Sequence, residues 1–124
     1  MNSGESIYSS LGEEKIKTLV RHFYIHVSEA PKLRKLYPEK DLVAAEERLF
    51  LFLIHVFGGP STYLEKRGHP MLRRRHFQWA IDEHMRNTWL DCMFRAMDKV
   101  EIETDIREAL MNYFVKVANH MINR

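Results

Sequence analysis

Apolar residues recur along this chain at the spacing of an α-helix, and no stretch alternates apolar and polar residues for long enough to predict a β-strand. The first periodic run predicts a helix from about Glu13 to Ser28, with an apolar face made of Ile16, Leu19, Val20, Phe23 and Val27. Ala30-Pro31 ends this helix, because the residue before a proline is pushed out of the helical region. The pattern indicates an all-α protein.

Prolines, glycines and capping residues divide the rest of the chain. Pro31 opens a short helix that ends near Tyr37-Pro38, and Asp41 is the expected N-cap of a helix from about Leu42 to Phe57. Gly58-Gly59-Pro60 ends that helix, and the chain from Ser61 to Ala80 is expected to be irregular, with single turns near 62–67 and 71–75.

Two further helices complete the prediction. Asp82 is expected to cap one that reaches about Lys99, and the last begins at about Thr104. A chain of 124 residues has the usual length of one domain, so we expect a single all-α domain over 1–124.

Charge and cysteine usage exclude several classes of protein. Nineteen Lys and Arg against seventeen Asp and Glu give a net charge of +2, which lacks the excess typical of proteins that bind nucleic acid or membranes. The single cysteine, Cys92, excludes an internal disulfide and a two-cysteine zinc site. No signal-peptide pattern precedes Lys15, and the apolar run from Leu49 to Ile54 is far shorter than the roughly 20 residues that span a bilayer. We expect a cytoplasmic protein whose thiol stays reduced.

His76 stands out among the seven histidines. Leu72 lies four residues before it, and Arg73, Arg74 and Arg75 precede it directly. A histidine that ligates haem iron, with arginines that pair with the haem propionates, would use these residue types. Two other interpretations stay open: a surface histidine in a basic loop, and a nucleic-acid site in which the basic stretch holds phosphates and Trp79 stacks on a base.

Two more groups of residues are candidates for a functional site, the first for a metal and the second for a ligand. His22 and His26 lie one helical turn apart, the spacing of a two-histidine metal clip, but no motif supplies a third ligand. Tyr24, Tyr37 and Trp89 are polar aromatic residues that need hydrogen-bond partners when buried. Either a ligand or the backbone of the protein core could be that partner.

Several stretches together resemble the truncated haemoglobins, and specifically group II of these 2-on-2 globins. The matching stretches are Phe23-Tyr24, Leu36-Tyr37-Pro38, Asp41-Leu42, Phe52-Leu53, Gly58-Gly59-Pro60, Tyr63, Gly68-His69-Pro70, Leu72-Arg73-Arg74-Arg75-His76, Trp89-Leu90 and Met93. The resemblance covers roughly Ile7 to Asn123. It implies a shortened globin fold, in which two antiparallel helix pairs surround a b-type haem.

The resemblance also implies roles for individual residues. His76 would be the proximal iron ligand. The distal side would be formed by Tyr24, Tyr37, Trp89, Ala45 at the gate position and Leu49 one turn further. The cofactor would be held by Arg48, Tyr63 and Arg75 as propionate partners and by Phe52, Leu72 and Ile81 as apolar walls.

The chain departs from its relatives at two places. Some members carry Thr and Gln where this chain has Ala45 and Leu49, so the distal hydrogen-bond donors reduce to Tyr24, Tyr37 and Trp89. Phe77-Gln78-Trp79 follows His76 where relatives often have Leu-Pro-Phe, which affects the loop rather than the ligation.

The function implied is reversible binding of O₂, and of NO, CO or sulfide, at a pentacoordinate haem iron in a polar pocket. Tight retention of O₂ by hydrogen-bond donors favours storage, sensing or redox detoxification over bulk transport. The alternative is a haem oxidoreductase of the nitric oxide dioxygenase or peroxidase type, served by a reductase partner. A monomer or a homodimer is expected.

Overall fold

The structure, a computed structural model, describes residues 6–37, 42–59 and 81–122, and all regular structure in these ranges is helical. Its helices are α1 (Ile7–Leu11), α2 (Glu13–Ser28), α3 (Pro31–Arg34), α4 (Val43–Val56), α5 (Glu83–Met97) and α6 (Thr104–Met121). The predicted all-α class is confirmed. None of these helices is both long enough and apolar enough to cross a membrane.

Helix α2 is the centre of the described fold. It packs against α3, α4 and α5, and α5 packs in turn against α6. The face predicted for α2 is fully buried at Ile16, Leu19, Val20, Phe23 and Val27. Arg86, near the start of α5, donates a hydrogen bond of 2.8 Å to the Asn119 side chain near the end of α6, so these two helices run antiparallel.

The caps at the helix starts are confirmed in one case and corrected in another. The Asp82 carboxylate accepts a hydrogen bond of 2.8 Å from the Met85 amide, as expected for the N-cap of α5. Helix α4 begins at Val43 with Leu42 in the N-cap position and has no side-chain cap. The predicted Asp41 cap is therefore wrong, since the helix starts one residue later than the pattern indicated.

Helix α1 was not predicted, and contacts distant in sequence hold it in place. The Tyr8 amide donates a hydrogen bond of 2.8 Å to the carbonyl of Phe57 at the end of α4. Gly58 has a φ of +97°, and a Cβ there would lie 2.6 Å from the Cβ of Ser6. The end of α4 therefore requires glycine for both its backbone conformation and the close approach of the N-terminal segment.

The turn between α5 and α6 is tied to the start of α2. The Lys15 ammonium donates a hydrogen bond of 2.6 Å to the Glu101 carbonyl. Within the same region, Arg107 forms an ion pair with Asp98. These contacts position the far end of α5 relative to α2.

Candidate functional site

Three separate elements bring the predicted polar aromatic residues together. Tyr24 lies on α2 and is 6% exposed. Its ring meets that of Tyr37, which follows α3, edge to face with the centroids 5.5 Å apart. On the other side, Phe23 meets Tyr24 at 4.9 Å and Trp89 of α5 at 5.3 Å. The four rings form a continuous row from the end of α3 to the middle of α5.

One hydrogen-bond donor in this row has no acceptor among the described residues. Within the described parts of the chain, the indole N–H of half-buried Trp89 donates to no acceptor. Tyr24 and Tyr37 each have contacts beyond the ring packing. An indole N–H can only donate, so Trp89 offers an uncommitted donor beside a buried tyrosine.

Helix α4 contributes an apolar surface. Ala45, Leu49 and Phe52 lie at i, i+4 and i+7, the spacing of one helix face. Ala45 is 1% exposed and Phe52 is 7% exposed, whereas Leu49 is half-buried. Helices α4 and α5 pack mainly on α2 rather than on each other. The apolar face of α4 and the Trp89 end of the aromatic row are therefore held together through α2, which both α4 and α5 contact.

Two further predicted residues lie on or beside the helices that carry the α4 face and the aromatic row. Arg48, also on α4, is half-buried and has additional contacts. Ile81 is buried directly before α5. The remaining predicted residues, His76, Tyr63, Leu72 and Arg75, lie outside the described residues.

The paired histidines do not form a metal site with other described residues. His26 has a buried Nδ1 with no hydrogen bond, and a carboxylate oxygen of Glu29 lies 3.4 Å from it. In 6–37, 42–59 and 81–122 no group of three His, Cys, Asp or Glu side chains is arranged to hold a metal ion. His22 and His26 thus lack a third ligand in the part of the chain that the structure describes.

Cys92 lies one turn beyond Trp89 on α5 and is buried. Desolvation, with a smaller contribution from the neighbouring Asp91 carboxylate, raises the pKa of its thiol to about 11. A thiol that stays protonated near neutral pH is a poor nucleophile and a poor metal ligand. Cys92 is therefore part of the packing of α5.

The sequence did not identify Phe23 and Phe114 as part of the aromatic assembly. Phe23 was assigned to the apolar face of α2, and the structure places its ring between Tyr24 and Trp89. Phe114 of α6 packs on the other side of Trp89, with centroids 5.8 Å apart. No sequence spacing indicates such contacts, because they join α2, α5 and α6 across the core.

Comparison with known proteins gives one family. The family described as bacterial-like globin matches residues 6–123. Among curated proteins, the group 2 truncated hemoglobin YjbI of Bacillus subtilis (strain 168) is 40% identical over 117 residues, which cover 94% of this chain and 88% of that protein.

Solved structures agree with the sequence match. A thermostable hemoglobin from the actinobacterium Thermobifida fusca superposes with a TM-score of 0.93 at 44% identity, covering 96% of this chain and 98% of that one. A truncated oxygen-avid haemoglobin from Bacillus subtilis superposes with a TM-score of 0.91 at 39% identity, covering 96% and 100% of the two chains. The resemblance read from the sequence is thus confirmed, as is the shortened globin fold. The chain belongs to the bacterial-like globins, a family of haem proteins that bind diatomic gases, and within them to the group II truncated haemoglobins.

Proposed function

We propose that residues 1–124 form one domain that binds haem b through His76 and holds O₂ reversibly at a pentacoordinate iron. NO, CO and sulfide are further ligands of the same site. The observation that supports this proposal most directly is the indole N–H of Trp89, which donates to no acceptor within the described residues and lies in a row of rings with buried Tyr24. The function that follows is O₂ storage, sensing or redox detoxification.

The described residues fit a haem group in their chemistry. A haem has a flat apolar macrocycle, acidic propionates and a ligand position that a polar pocket can influence. The α4 face supplies apolar contact through Leu49 and Phe52, and Arg48 on the same helix supplies a cation. Trp89 supplies an uncommitted donor. This combination of an apolar surface, a cation and an unused donor is what the group needs from its surroundings.

The residues proposed to hold the haem come from two parts of the chain. Arg48, Phe52 and Ile81 belong to the described residues. His76, Tyr63, Leu72 and Arg75 lie outside them and enter through the family resemblance. We propose Arg48, Tyr63 and Arg75 as propionate partners, and Phe52, Leu72 and Ile81 as apolar walls that exclude water.

Ferrous haem supplies reversible binding of diatomic gases when it is bound. The side chains on the distal side then determine how slowly the gas dissociates. Trp89 donates its N–H toward a polar ligand, and Tyr24 and Tyr37 are the other two side chains on the distal side that can donate. Ala45 and Leu49 have no donor group, so they contribute shape only.

The burial of Tyr24 and the partial burial of Tyr37 and Trp89 strengthen these donors. A hydrogen bond in a low-dielectric interior is stronger than in water, and a donor held by ring packing does not need to be reoriented. Each hydrogen bond to a partially charged ligand stabilises the bound state by roughly 1–3 kcal/mol. One such bond slows ligand release by about 5-fold to 150-fold, since 1.4 kcal/mol corresponds to about a factor of ten, and a second bond slows it further. Slow release suits storage or chemistry on the ligand better than transport.

A visible absorption spectrum of the purified protein tests the proposal. We expect a haem Soret band, which shifts on reduction with dithionite and again on addition of CO or O₂. Acid-acetone should extract the pigment, because no thioether bond is proposed, and the pyridine haemochrome of the extract identifies haem b. A protein that takes up no haem when reconstituted, or a haem that stays bound to the chain in acid-acetone, would contradict the assignment.

A further inference from the structure

The Trp89 indole is contacted by two phenylalanine rings that come from different helices. Phe23 of α2 stands edge to face against it, with the centroids 5.3 Å apart and the planes at 62°. Phe114 of α6 makes the same kind of contact at 5.8 Å and 63°. Helix α5 packs on both α2 and α6, so each neighbouring helix supplies one of the two rings.

The two phenylalanines are more completely enclosed than the indole between them. Phe23 and Phe114 are fully buried, whereas Trp89 is half-buried. The ring of Phe114 packs in turn on Phe57 at the end of α4 and on Tyr113, with centroids 6.3 Å and 5.5 Å away. Partial burial alone does not fix the orientation of the indole, so the two ring contacts carry that task.

The direction of the Trp89 N–H depends on one torsion angle in particular. The first side-chain torsion of an aromatic residue on a helix is restricted to two values. The second torsion, about the bond that joins the ring, has a broad and roughly two-fold preference. A half-turn about this bond points the single N–H in a different direction. The rings that pack on the indole therefore determine where its donor points.

We propose that Phe114 is a positioning residue, whose ring holds the Trp89 indole so that its N–H points toward the ligand position, and that it thereby sets how strongly the site favours O₂ over CO. This inference rests on the proposed function. The Phe114 side chain has no donor or acceptor of its own, so it acts through Trp89.

Phe114 is a more selective handle on the indole than Phe23 is. The Phe23 ring also packs on Tyr24, so a change at Phe23 disturbs two proposed donors at once. Among the described residues, the ring contacts of Phe114 are with Trp89, Phe57 and Tyr113, and of these only Trp89 is a proposed distal residue.

O₂ and CO differ in what they gain from a directed donor. O₂ held at the site carries partial negative charge and CO carries much less, so a hydrogen bond stabilises O₂ more. Loss of the donor's direction therefore speeds the release of O₂ and leaves the release of CO nearly unchanged. A general loosening of the fold or of the haem changes both rates.

Two variants remove the Phe114 ring, and a third serves as the control. Phe114→Leu removes the ring outright, whereas Phe114→Met fills more of its volume with a flexible side chain. Ile106→Ala truncates a buried residue of the same helix about two turns earlier. That position lies beside the far end of α5, where Arg107 pairs with Asp98. The control therefore lowers stability without a change next to Trp89.

Stopped-flow release of O₂ and of CO from the haem-loaded proteins gives the first measurement. In both Phe114 variants we expect O₂ release to be about 2-fold to 13-fold faster, the factor that corresponds to one edge-to-face ring pair, and CO release to change by less than about 2-fold. Ile106→Ala should leave the ratio of the two rates unchanged. Phe114→Leu should add no further acceleration to Trp89→Phe, because it acts through the indole.

Ultraviolet resonance Raman spectra of the same proteins report the indole torsion independently of ligand release. Every protein in this series carries Trp79→Phe, so that Trp89 is the one remaining tryptophan. The indole band that depends on the second torsion angle should shift or broaden in both Phe114 variants. It should keep its position and width in Ile106→Ala.

An unchanged indole band in the Phe114 variants would overturn the positioning role, as would equal acceleration of O₂ and CO release or a further acceleration in the double variant. Phe114→Met decides the test where Phe114→Leu does not fold. A parent protein that takes up no haem would instead contradict the proposed function, and the indole band would still decide whether Phe114 orients Trp89.

Discussion

The ring of Phe23 stands edge to face against the indole of Trp89, with the centroids 5.3 Å apart and the planes at 62°. Because Tyr24 is the next residue of α2 and packs on Phe23 as well, this contact sets the spacing between the hydroxyl and the indole. The packing of α2 on α5 thus positions the two donors that we propose for the distal side. We expect changes at either ring to alter the proposed ligand retention, and loss of the fully buried Phe23 ring to lower stability as well.

Trp89→Phe should accelerate O₂ release more than Tyr24→Phe does. The indole N–H has no acceptor in the described structure and can only donate, whereas a tyrosine hydroxyl can rotate and give its proton to a neighbour. Loss of one hydrogen bond to the ligand, about 1–3 kcal/mol, corresponds to a rate increase of about 5-fold to 150-fold. Stopped-flow O₂ dissociation from both variants measures the difference.

The double variant Trp89→Phe with Tyr24→Phe completes this test. Both donors address one ligand, so their effects should not add. A larger acceleration in Tyr24→Phe than in Trp89→Phe would show that the tyrosine hydroxyl is the dominant donor, contrary to our expectation.

His76→Gly should abolish axial ligation of the haem iron, and added imidazole should restore it. The variant opens a space in which free imidazole can take the place of the missing side chain. Absorption and resonance Raman spectra of the ferrous protein report the iron–histidine bond. His69→Ala is the control because it removes the other histidine of the same segment, and a loss of ligation in that variant would transfer the assignment to His69.

Arg48→Ala and Arg75→Ala should each speed haem loss by a small factor. A partly exposed ion pair to a propionate stabilises the bound haem by about 1 kcal/mol, or about five-fold in rate. Haem transfer to excess apomyoglobin measures the loss. Arg95→Ala is the control, since Arg95 is exposed and its ion pair at 3.6 Å is with Asp91 of its own helix.

The same arginine variants distinguish haem from nucleic acid as a partner. We expect binding of DNA and RNA at about 0.15 M salt to be absent, or weak and strongly salt-dependent. Tight, sequence-selective binding that is lost in Arg75→Ala would support the alternative use of the basic stretch.

Gly58→Ala should destabilise the fold more than Gly12→Ala. Both glycines have a positive φ, +97° and +89°, so both substitutions strain the backbone by about 1–3 kcal/mol. Only at Gly58 does the new Cβ also collide with another residue, at 2.6 Å from the Cβ of Ser6, whereas Gly12 faces open space. The midpoints of urea unfolding of the two variants give the comparison. Equal losses of stability would show that the contact with Ser6 adds nothing to the cost of the substitution.

Alkaline pH should lower the free energy of unfolding through Cys92. Its pKa is 9.0 in the unfolded chain and about 11 in the fold, so above pH 9.0 the unfolded state loses its proton first. The unfolded state is then favoured increasingly until about pH 11, and the effect is complete above that value. In Cys92→Ala the decline over this interval should be smaller, although the variant starts from a lower stability because of the cavity it creates. Urea titrations on both sides of the interval provide the measurement.

Local periodicity predicted most of the helices. The apolar spacing gave α2 with the bounds that the structure has, and Asp82 marked the start of α5 because a carboxylate before a periodic run caps it locally. Helix α1 escaped prediction for the opposite reason. Its five residues are too few for a periodic signal, and the bond from Tyr8 to Phe57 that holds it joins residues distant in the chain.

For the candidate site, too, the sequence predicts the residues but not their arrangement. Tyr24, Tyr37 and Trp89 could be selected from the sequence because polar aromatic residues on buried faces need partners. Their arrangement in one row could not, since the row depends on which helices pair and on the rotation of α2 against α5. The row therefore becomes visible only in the fold.

The contact between the first helix and the end of α4 has a consequence for tolerance to insertions and deletions. Ser6 and Tyr8 both face the Phe57–Gly59 region, and each residue added or removed between them and Gly12 would rotate the segment by about 100° about the helix axis. The exposed position Ser10 can exchange its side chain freely, because it lies on the solvent side of the helix. The length of this segment is thus far more constrained than its composition, and homologous chains should vary here by substitution and not by gaps.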